Sequence, residues 1–401
     1  MDSLPIDLIR DIFSRLPAKS IGRSRCVSRQ WESILCRQDF TELFLTRSSA
    51  RPRLFFAFKG YQKWHFFSSP QPHSPHDRSS SSLVVEADSH SQLKLPGGMR
   101  LDFCSRAYGL FCFRLVSNQY VDTVQHVICN PTTGQYTILP KLRTNRQRWY
   151  SFLGFDPIDK QFKVLLCMAE LSFECDYRIL TLETGKMCWR KIKPPLTHHP
   201  AADSSQGICI DGVLYYFAQE YKNPCLKKFM FINAPLSIYE WDVIKLINYK
   251  GKLAVISGLR NSTTGSDERP ILEFFVWVLE YYEFQEWSQY AYTFPDHNFI
   301  DRYNVFVVGV TTKGEINFSK KYGRTPDYVF YFNPESNTLR SVEIQVNHEV
   351  LDHRSYTRDG ASTFVDHVED LNFDMRAHLL QDRLRFESIN KFDALSLLDY
   401  D

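Results

Sequence analysis

Turns recur along this chain at a fixed interval, and that recurrence restricts the fold more than any other feature. Gly134 in NPTTGQY and Gly185 in LETGKMCW lie 51 residues apart. Further steps of 51 fall near Ala234-Pro235 in FINAPLSIYEW, near Phe284-Gln285 in LEYYEFQEW and within a residue of Asn337 in FNPESNTL. Each turn follows a run rich in strand-forming residues, and most precede another, starting at Tyr136, Trp189, Trp241, Trp287 and Leu339. A second set, read as the inner turn of each unit, interleaves with the first: Lys59-Gly60, Tyr108-Gly109, Asp159-Lys160, Asp211-Gly212, Lys250-Gly251 and Lys313-Gly314. Its steps are 49, 51, 52, 39 and 63, the last two averaging 51. Two hairpins, hence four strands, therefore fit each unit. Radial repetition of four-stranded sheets has this period and protects the sheet edges, so the spacing predicts a propeller of about six blades, the first irregular. A β-sandwich with regular loops is the alternative.

A chain of 401 residues has room for a short module beside a large core. Its 15% aromatic content agrees with a strand-rich core. With 48 Lys and Arg against 46 Asp and Glu, no overall field favours a nucleic acid or a membrane surface. The opening MDSLPIDLIRD has acids where a secretory signal needs basic and apolar residues, and apolar runs such as Phe274 to Leu279 are strand-sized. Ten cysteines occur without a CxxC pair. They are expected to be reduced and mostly buried in a cytoplasmic or nuclear protein, where the sequons at Asn261 and Asn317 would carry no glycan.

The first 46 residues read differently. Leu8, Ile9, Ile12, Phe13 and Leu16 recur at helical spacing after Pro5, and Pro17 stops the pattern. Ile21, Cys26 and Val27 supply a second short apolar face, and Ser28 is placed to cap a third helix carrying Trp31, Ile34 and Leu35. Helices this short are marginal alone, and a unit this small without metal or disulfide needs something to cover it. Periodicity leaves open whether that cover is the rest of the chain or another protein.

The string LPIDLIRDIFSRLPAKSIGRSRCVSRQWESIL resembles the F-box family nearly position for position, from Leu4-Pro5 through Arg15-Leu16-Pro17 to Val27-Ser28-Arg29 and Trp31. The resemblance implies a three-helix unit that binds a Skp-type adaptor and, through it, a cullin scaffold. It implies that Leu4, Pro5, Leu8, Ile9, Ile12, Phe13, Leu16, Pro17, Ile21, Val27 and Trp31 form or support that interface. From about residue 51 to 371 the phrases ICNPTTGQYTILPKL, FLGFDPIDKQFKVL, ILTLETGKMCWRKI, GICIDGVLYYFA and YVFYFNPESNTL resemble the F-box-associated interaction domain of the large plant family, with TFVDHVEDL as its final strand. The expected class is thus α+β multidomain: an F-box over 1–46, a linker over 47–53, a kelch-like, target-binding propeller over 54–371, and a tail over 372–401. The tail is either a short amphipathic helix or disordered. The pattern weakens between 219 and 245, in the third blade.

Three polar stretches, Ser68 to Ser82, Pro194 to Gln206 and Asn261 to Pro270, read as surface loops that either bind a target or simply link strands. No GxSxG, phosphate loop, GxGxxG or HExxH occurs. His198-His199 lacks the spacing that places two rings on one ion, and Asp352-His353 and Asp366-His367 read as ordinary neighbours rather than acid-base pairs. Arg143, Arg146 and Arg148 beside Trp149 and Tyr150 are expected on an exposed loop between blades, with a phosphorylated target or nucleic acid as the sharper alternative. No catalytic, cofactor or metal site is expected. The function implied is a non-catalytic ubiquitin-ligase subunit joining adaptor to an unidentified target protein. A glycan-binding propeller and a ligase-independent F-box scaffold are the alternatives.

Overall fold

The structure, a computed structural model, describes residues 5–60, 63–72, 83–95, 99–116, 123–143, 148–169, 175–182, 187–194, 198–200, 207–220, 244–262, 271–294, 305–320, 328–346 and 361–371. Four helices come first: α1 (Ile6–Phe13), α2 (Ala18–Arg25), α3 (Arg29–Leu35) and α4 (Gln38–Ser49). Ser28 caps α3 as expected, its hydroxyl accepting from the Trp31 N–H at 3.2 Å. The second helix ends before Cys26 and Val27, which are exposed rather than part of an apolar face. The fourth helix exceeds the three expected. Its Phe40 and Phe44, one turn apart, are fully covered in a core with Phe13, Ala18, Ile21, Leu35 and Leu371.

All else is β. Strands β1 (Arg53–Lys59), β2 (Lys63–Pro70) and β3 (Leu83–Lys94) come first. A four-stranded blade follows: β4 (Arg100–Ala107), β5 (Leu110–Val116), β6 (Thr123–Asn130) and β7 (Gln135–Ile138), with β8 (Leu142–Arg143) also on β6. The next is β9 (Arg148–Asp156), β10 (Gln161–Ala169), β11 (Cys175–Leu182) and β12 (Arg190–Ile192). The described residues of the third form two short ladders, pairing β13 (His198–Pro200) with β16 (Ala218–Glu220), and β14 (Ile208–Ile210) with β15 (Val213–Tyr215). Residues 221–243, where the sequence pattern weakens, lie outside the described residues. The fourth blade is β17 (Ile244–Tyr249), β18 (Lys252–Ser262), β19 (Ile271–Tyr281) and β20 (Glu286–Thr293). The fifth is β21 (Val305–Val310), β22 (Ile316–Lys320), β23 (Tyr328–Asn333) and β24 (Thr338–Val346). Last comes β25 (Ala361–His367), which pairs antiparallel with β1, Phe55 opposite Phe364, and makes the sixth blade β25-β1-β2-β3.

The sixth blade therefore joins both ends of the domain. It corrects one turn assignment: Lys59-Gly60 links the middle strands β1 and β2, so five of the six expected turns follow an inner strand. The others fall where the spacing predicts. Tyr108-Gly109, Asp211-Gly212 and Lys250-Gly251 have positive φ at both residues, the two-residue hairpin that matches strand twist. Gly134, Gln285 and Asn337, from the other turn set, also have positive φ.

Apolar clusters fill the gaps between blades. Phe55, Trp64, Phe66, Phe111 and Phe113 pack the sixth on the first, Phe274, Phe294, Phe318 and Phe332 the fourth on the fifth. Such blade-on-blade packing rules out the sandwich. The outer strands β24 and β3 also pair in parallel, Val342 opposite Leu83, so the fifth and sixth blades share one eight-stranded sheet.

The polar stretches are shorter than expected as loops. Ser68 to Pro70 belong to β2, His198 to Pro200 to β13, and Asn261 and Ser262 to β18; positions 73–82, 195–197, 201–206 and 263–270 lie outside the described residues, as does the tail beyond 371.

Gly212 has φ +82°, and a Cβ there would lie 2.6 Å from Pro157 Cδ. Gly251 has φ +86° with nothing within 4 Å of an added Cβ. Gly212→Ala is expected to cost about 2–3 kcal/mol and Gly251→Ala about 1 kcal/mol, read from urea midpoints. Equal costs would contradict the packing argument.

Candidate functional site

The helical module sorts its apolar residues into two sets. Phe13 and Ile21 are buried, and Ile9, Leu16 and Trp31 pack against them, with the Phe13 and Trp31 rings 5.0 Å apart edge to face. On the outside Leu8 is 51%, Ile12 50% and Val27 67% exposed. Leu8 and Ile12 stand one turn apart on α1 and so share a face. Ile6, 50% exposed at the start of α1, joins the outer set although the sequence reading passed over it. Pro5 and Pro17 are also exposed, and Leu4 lies outside the described residues. A face of this kind on short helices is what recognition by another helical protein uses.

This face is held still from behind. Arg47 of α4 donates Nη1 to the Asp11 carbonyl at 2.8 Å and pairs with the Asp11 carboxylate, whose pKa is lowered chiefly by that hydrogen bond and then by Arg15. The module is seated on the propeller through the segment after β25. Glu369 is buried there; its Oε2 accepts from the Ala18 N–H at 3.2 Å, and its own N–H donates to Ser48 Oγ at 2.9 Å. Leu371 inserts among the helices, and Lys19 donates to the Ser89 carbonyl. Glu369 Oε1 lies 4.0 Å from His90 Nε2. Burial holds His90 down to about 4 and raises Glu369, so the ring is neutral at physiological pH and this contact is no ion pair.

A cavity of about 1370 Å³ lies between α4 and the inner strands. Thr41, Glu42 and Leu45 wall one side, and inner-strand residues such as Arg106, Lys245 and Val308 the other.

Other sequence-derived candidates resolve structurally. His198 is buried and its Nε2 is 2.6 Å from Tyr216 Oη, a packed core histidine; the side chain of His199 lies outside the description. His367 Nε2 is 3.1 Å from Thr132 Oγ1, while Asp366 accepts from Gln71 Nε2 at 2.6 Å. Asp352, His353 and Arg146 fall outside the described residues. Arg143 belongs to β8, and Arg148, Trp149 and Tyr150 open β9, so these are strand residues rather than an exposed loop; Arg114 lies 5.9 Å over the Trp149 ring. Among the described residues no cluster of His, Cys, Asp or Glu suits a metal. The described cysteines are free, but only Cys112, Cys129 and Cys167 are buried; Cys26, Cys36 and Cys188 are exposed, against the expectation that most are covered. Asn317 is fully buried in β22. Among the described residues no helix is long and apolar enough to cross a membrane.

One surface escaped the sequence reading. The turn between β19 and β20 holds Tyr281, Tyr282 and Phe284 exposed at 61%, 36% and 73%, and Tyr290, exposed farther along β20 opposite Val276, reaches Glu280 Oε1 with its hydroxyl at 3.4 Å. They appear in sequence as LEYYEFQEW, which periodicity alone marks as another strand end.

Comparison with known proteins is consistent with both halves. Residues 53–368 match the family described as F-box associated beta propeller domain, and residues 1–43 the F-box domain. Three F-box proteins of Arabidopsis thaliana are each 43% identical to the chain. One covers 92% of it and 91% of its own length, a second 93% and 79%, and a third 91% and 93%.

Because burial raises Glu369, the native protein binds its proton more tightly than the unfolded chain, where a carboxyl titrates near 4.5. The cost is absent below that pH and grows as pH rises through the native value. Glu369→Gln keeps an oxygen for the Ala18 N–H. It is expected to raise Tm near neutral pH and to match the parent near pH 4. A lower Tm at neutral pH would contradict this.

Proposed function

Since the chain belongs to the F-box proteins that carry an F-box-associated β-propeller domain, we propose that it is the substrate-recognition subunit of a Skp/cullin/F-box ubiquitin ligase. The single observation that carries this reading is the uncovered apolar face of α1 on a module otherwise seated on its own propeller. A Skp-type adaptor covers Leu8, Ile12 and Val27, each contributing about 1 kcal/mol by removal of half its surface from water. Phe13, Leu16, Ile21 and Trp31 support that face from within. Ubiquitin transfer belongs to the partners the adaptor recruits, and this chain contributes two binding surfaces in the cytoplasm or nucleus. Limits of 1–46 for the module and 47–53 for a linker would divide α4 (Gln38–Ser49) and β1 (Arg53–Lys59), so the domain limits proposed are 1–49 for the adaptor-binding module and 53–371 for the target-binding propeller.

Target capture is assigned to the ridge of Tyr281, Tyr282, Phe284 and Tyr290. Large amphipathic rings give much contact area at low entropic cost. The exposed Glu283 and Glu286 beside them select a segment that combines basic and apolar residues.

Leu8→Ala with Ile12→Ala is expected to weaken binding of a purified Skp-type adaptor at least about tenfold while helical content and Tm stay unchanged. Leu16→Ala acts on the module's core and is expected to lower stability as well. Adaptor affinity unaffected by the double change overturns the assignment. With the adaptor face disabled, targets that escape clearance should accumulate on the chain, and Tyr281→Ala with Phe284→Ala should release them. Accumulation with no change in any protein's lifetime when the chain is deleted favours a ligase-independent scaffold.

A further inference from the structure

Five cations line the cavity, Arg25, Arg106, Lys160, Lys245 and Lys250, and of these Lys245 and Arg106 stand on inner strands and, among the described residues, form no ion pair. Lys245, the second residue of β17, donates Nζ to the Val307 carbonyl at 3.0 Å, bridging the fourth blade to the fifth. Arg106 of β4 lays its guanidinium 4.6 Å over the Phe364 ring and donates Nη2 to the Val365 carbonyl at 3.3 Å, bridging the first blade to the sixth. These bonds occupy one donor of each group, and an ammonium has three and a guanidinium five. The acid that acts on Arg106 is Asp366, whose carboxylate already accepts from Gln71 Nε2 and the Thr312 N–H. Glu42, Asp211 and Asp370 also line the cavity, but the acid that acts on Arg106 is this already engaged one.

That balance is costly as it stands. Burial pulls Lys245 down to about 8, with the Arg106 charge adding to the effect, and burial pulls Arg106 down to about 10. The walls around them mix apolar residues such as Phe103, Phe364, Leu246 and Val308 with polar ones such as Ser105, Thr311 and Thr312, and an anion partly shielded from water there is held more strongly than in bulk solvent. Volume is ample for more than an inorganic ion, since about 1370 Å³ exceeds a common small-molecule pocket.

We propose that the propeller's central cavity is a binding site for a small oxyanion, carboxylate or phosphate, held by Lys245 and Arg106. The free donors of the two side chains take its oxygens, and the apolar walls accept any organic body attached to it. The site is separate from the α1 face and from the Tyr281 ridge, so it stands whether or not the chain serves a ligase. Thr41 and Leu45 of α4 line the same cavity, so an organic body long enough to cross it meets the helical module as well.

The test uses the full chain with sodium pyrophosphate and with citrate, each against sodium chloride at equal ionic strength, read by calorimetric titration and by Tm. A saturable heat with one site and a raised Tm is expected from at least one anion. Response to pyrophosphate alone identifies phosphate as the source, to citrate alone carboxylate, and to both the shared chemistry. Lys245→Met, which keeps the stem and removes the charge, is expected to lower affinity at least about tenfold. Arg106→Met is the second variant and should do the same; if it fails to fold, Lys245→Met decides alone. Absence of any effect beyond that of chloride overturns the proposal, as does undiminished binding by Lys245→Met.

Discussion

The pairing of β25 with β1 is the contact on which the rest of this molecule depends. A propeller is a ring of sheets, each packed face to face on its neighbours, and a ring is only as secure as its last joint. Here the joint is a ladder of backbone hydrogen bonds between Ala361–His367 and Arg53–Lys59, so the closing blade is one continuous sheet made from both ends of the domain. Phe364 and Val365 then carry apolar surface into the clusters on either side, and Arg106 of the first blade binds the Val365 carbonyl. Without β25, β1 would present an open edge and two inter-blade clusters would lose a wall.

The same segment fastens the helical module. Leaving β25, the chain passes through the buried Glu369, bonded to α2 and α4, then Asp370, whose carbonyl accepts from Asn130 Nδ2 at 2.9 Å, to Leu371 in the helical core. Four helices too short to stand alone thereby gain a floor. That resolves the choice periodicity left open: the module is covered from below by its own chain, while a separate apolar face on α1 stays uncovered. The same body carries an uncovered apolar face at the helices and exposed aromatic rings on the fourth blade, the two surfaces on which the proposed function rests.

Much of this was legible in the sequence because it is written in local chemistry. A two-residue hairpin needs positive φ, which restricts Tyr108-Gly109, Asp211-Gly212 and Lys250-Gly251 to residues that tolerate it, and their spacing then counts the blades. The Ser28 cap and the Leu8, Ile12 spacing likewise depend on neighbours within one helical turn. The α4 helix was less legible because its apolar residues Phe40 and Phe44 follow three short helices without a proline to mark a start. The Lys59-Gly60 turn was misplaced for a different reason: its local signal is that of any hairpin, and only the strand contributed from the far end of the chain decides which side of the blade it occupies.

By itself, then, the sequence determined the period, the strand count per blade, the helical start and the family, since each is recorded in residues a few positions apart. Tertiary structure alone decided which apolar residues of the F-box face inward, how residues more than three hundred positions apart close the ring, and that Lys245 and Arg106 share a cavity. Burial and charge proximity are properties of neighbours in space, and chain spacing carries no record of neighbours brought together by closure.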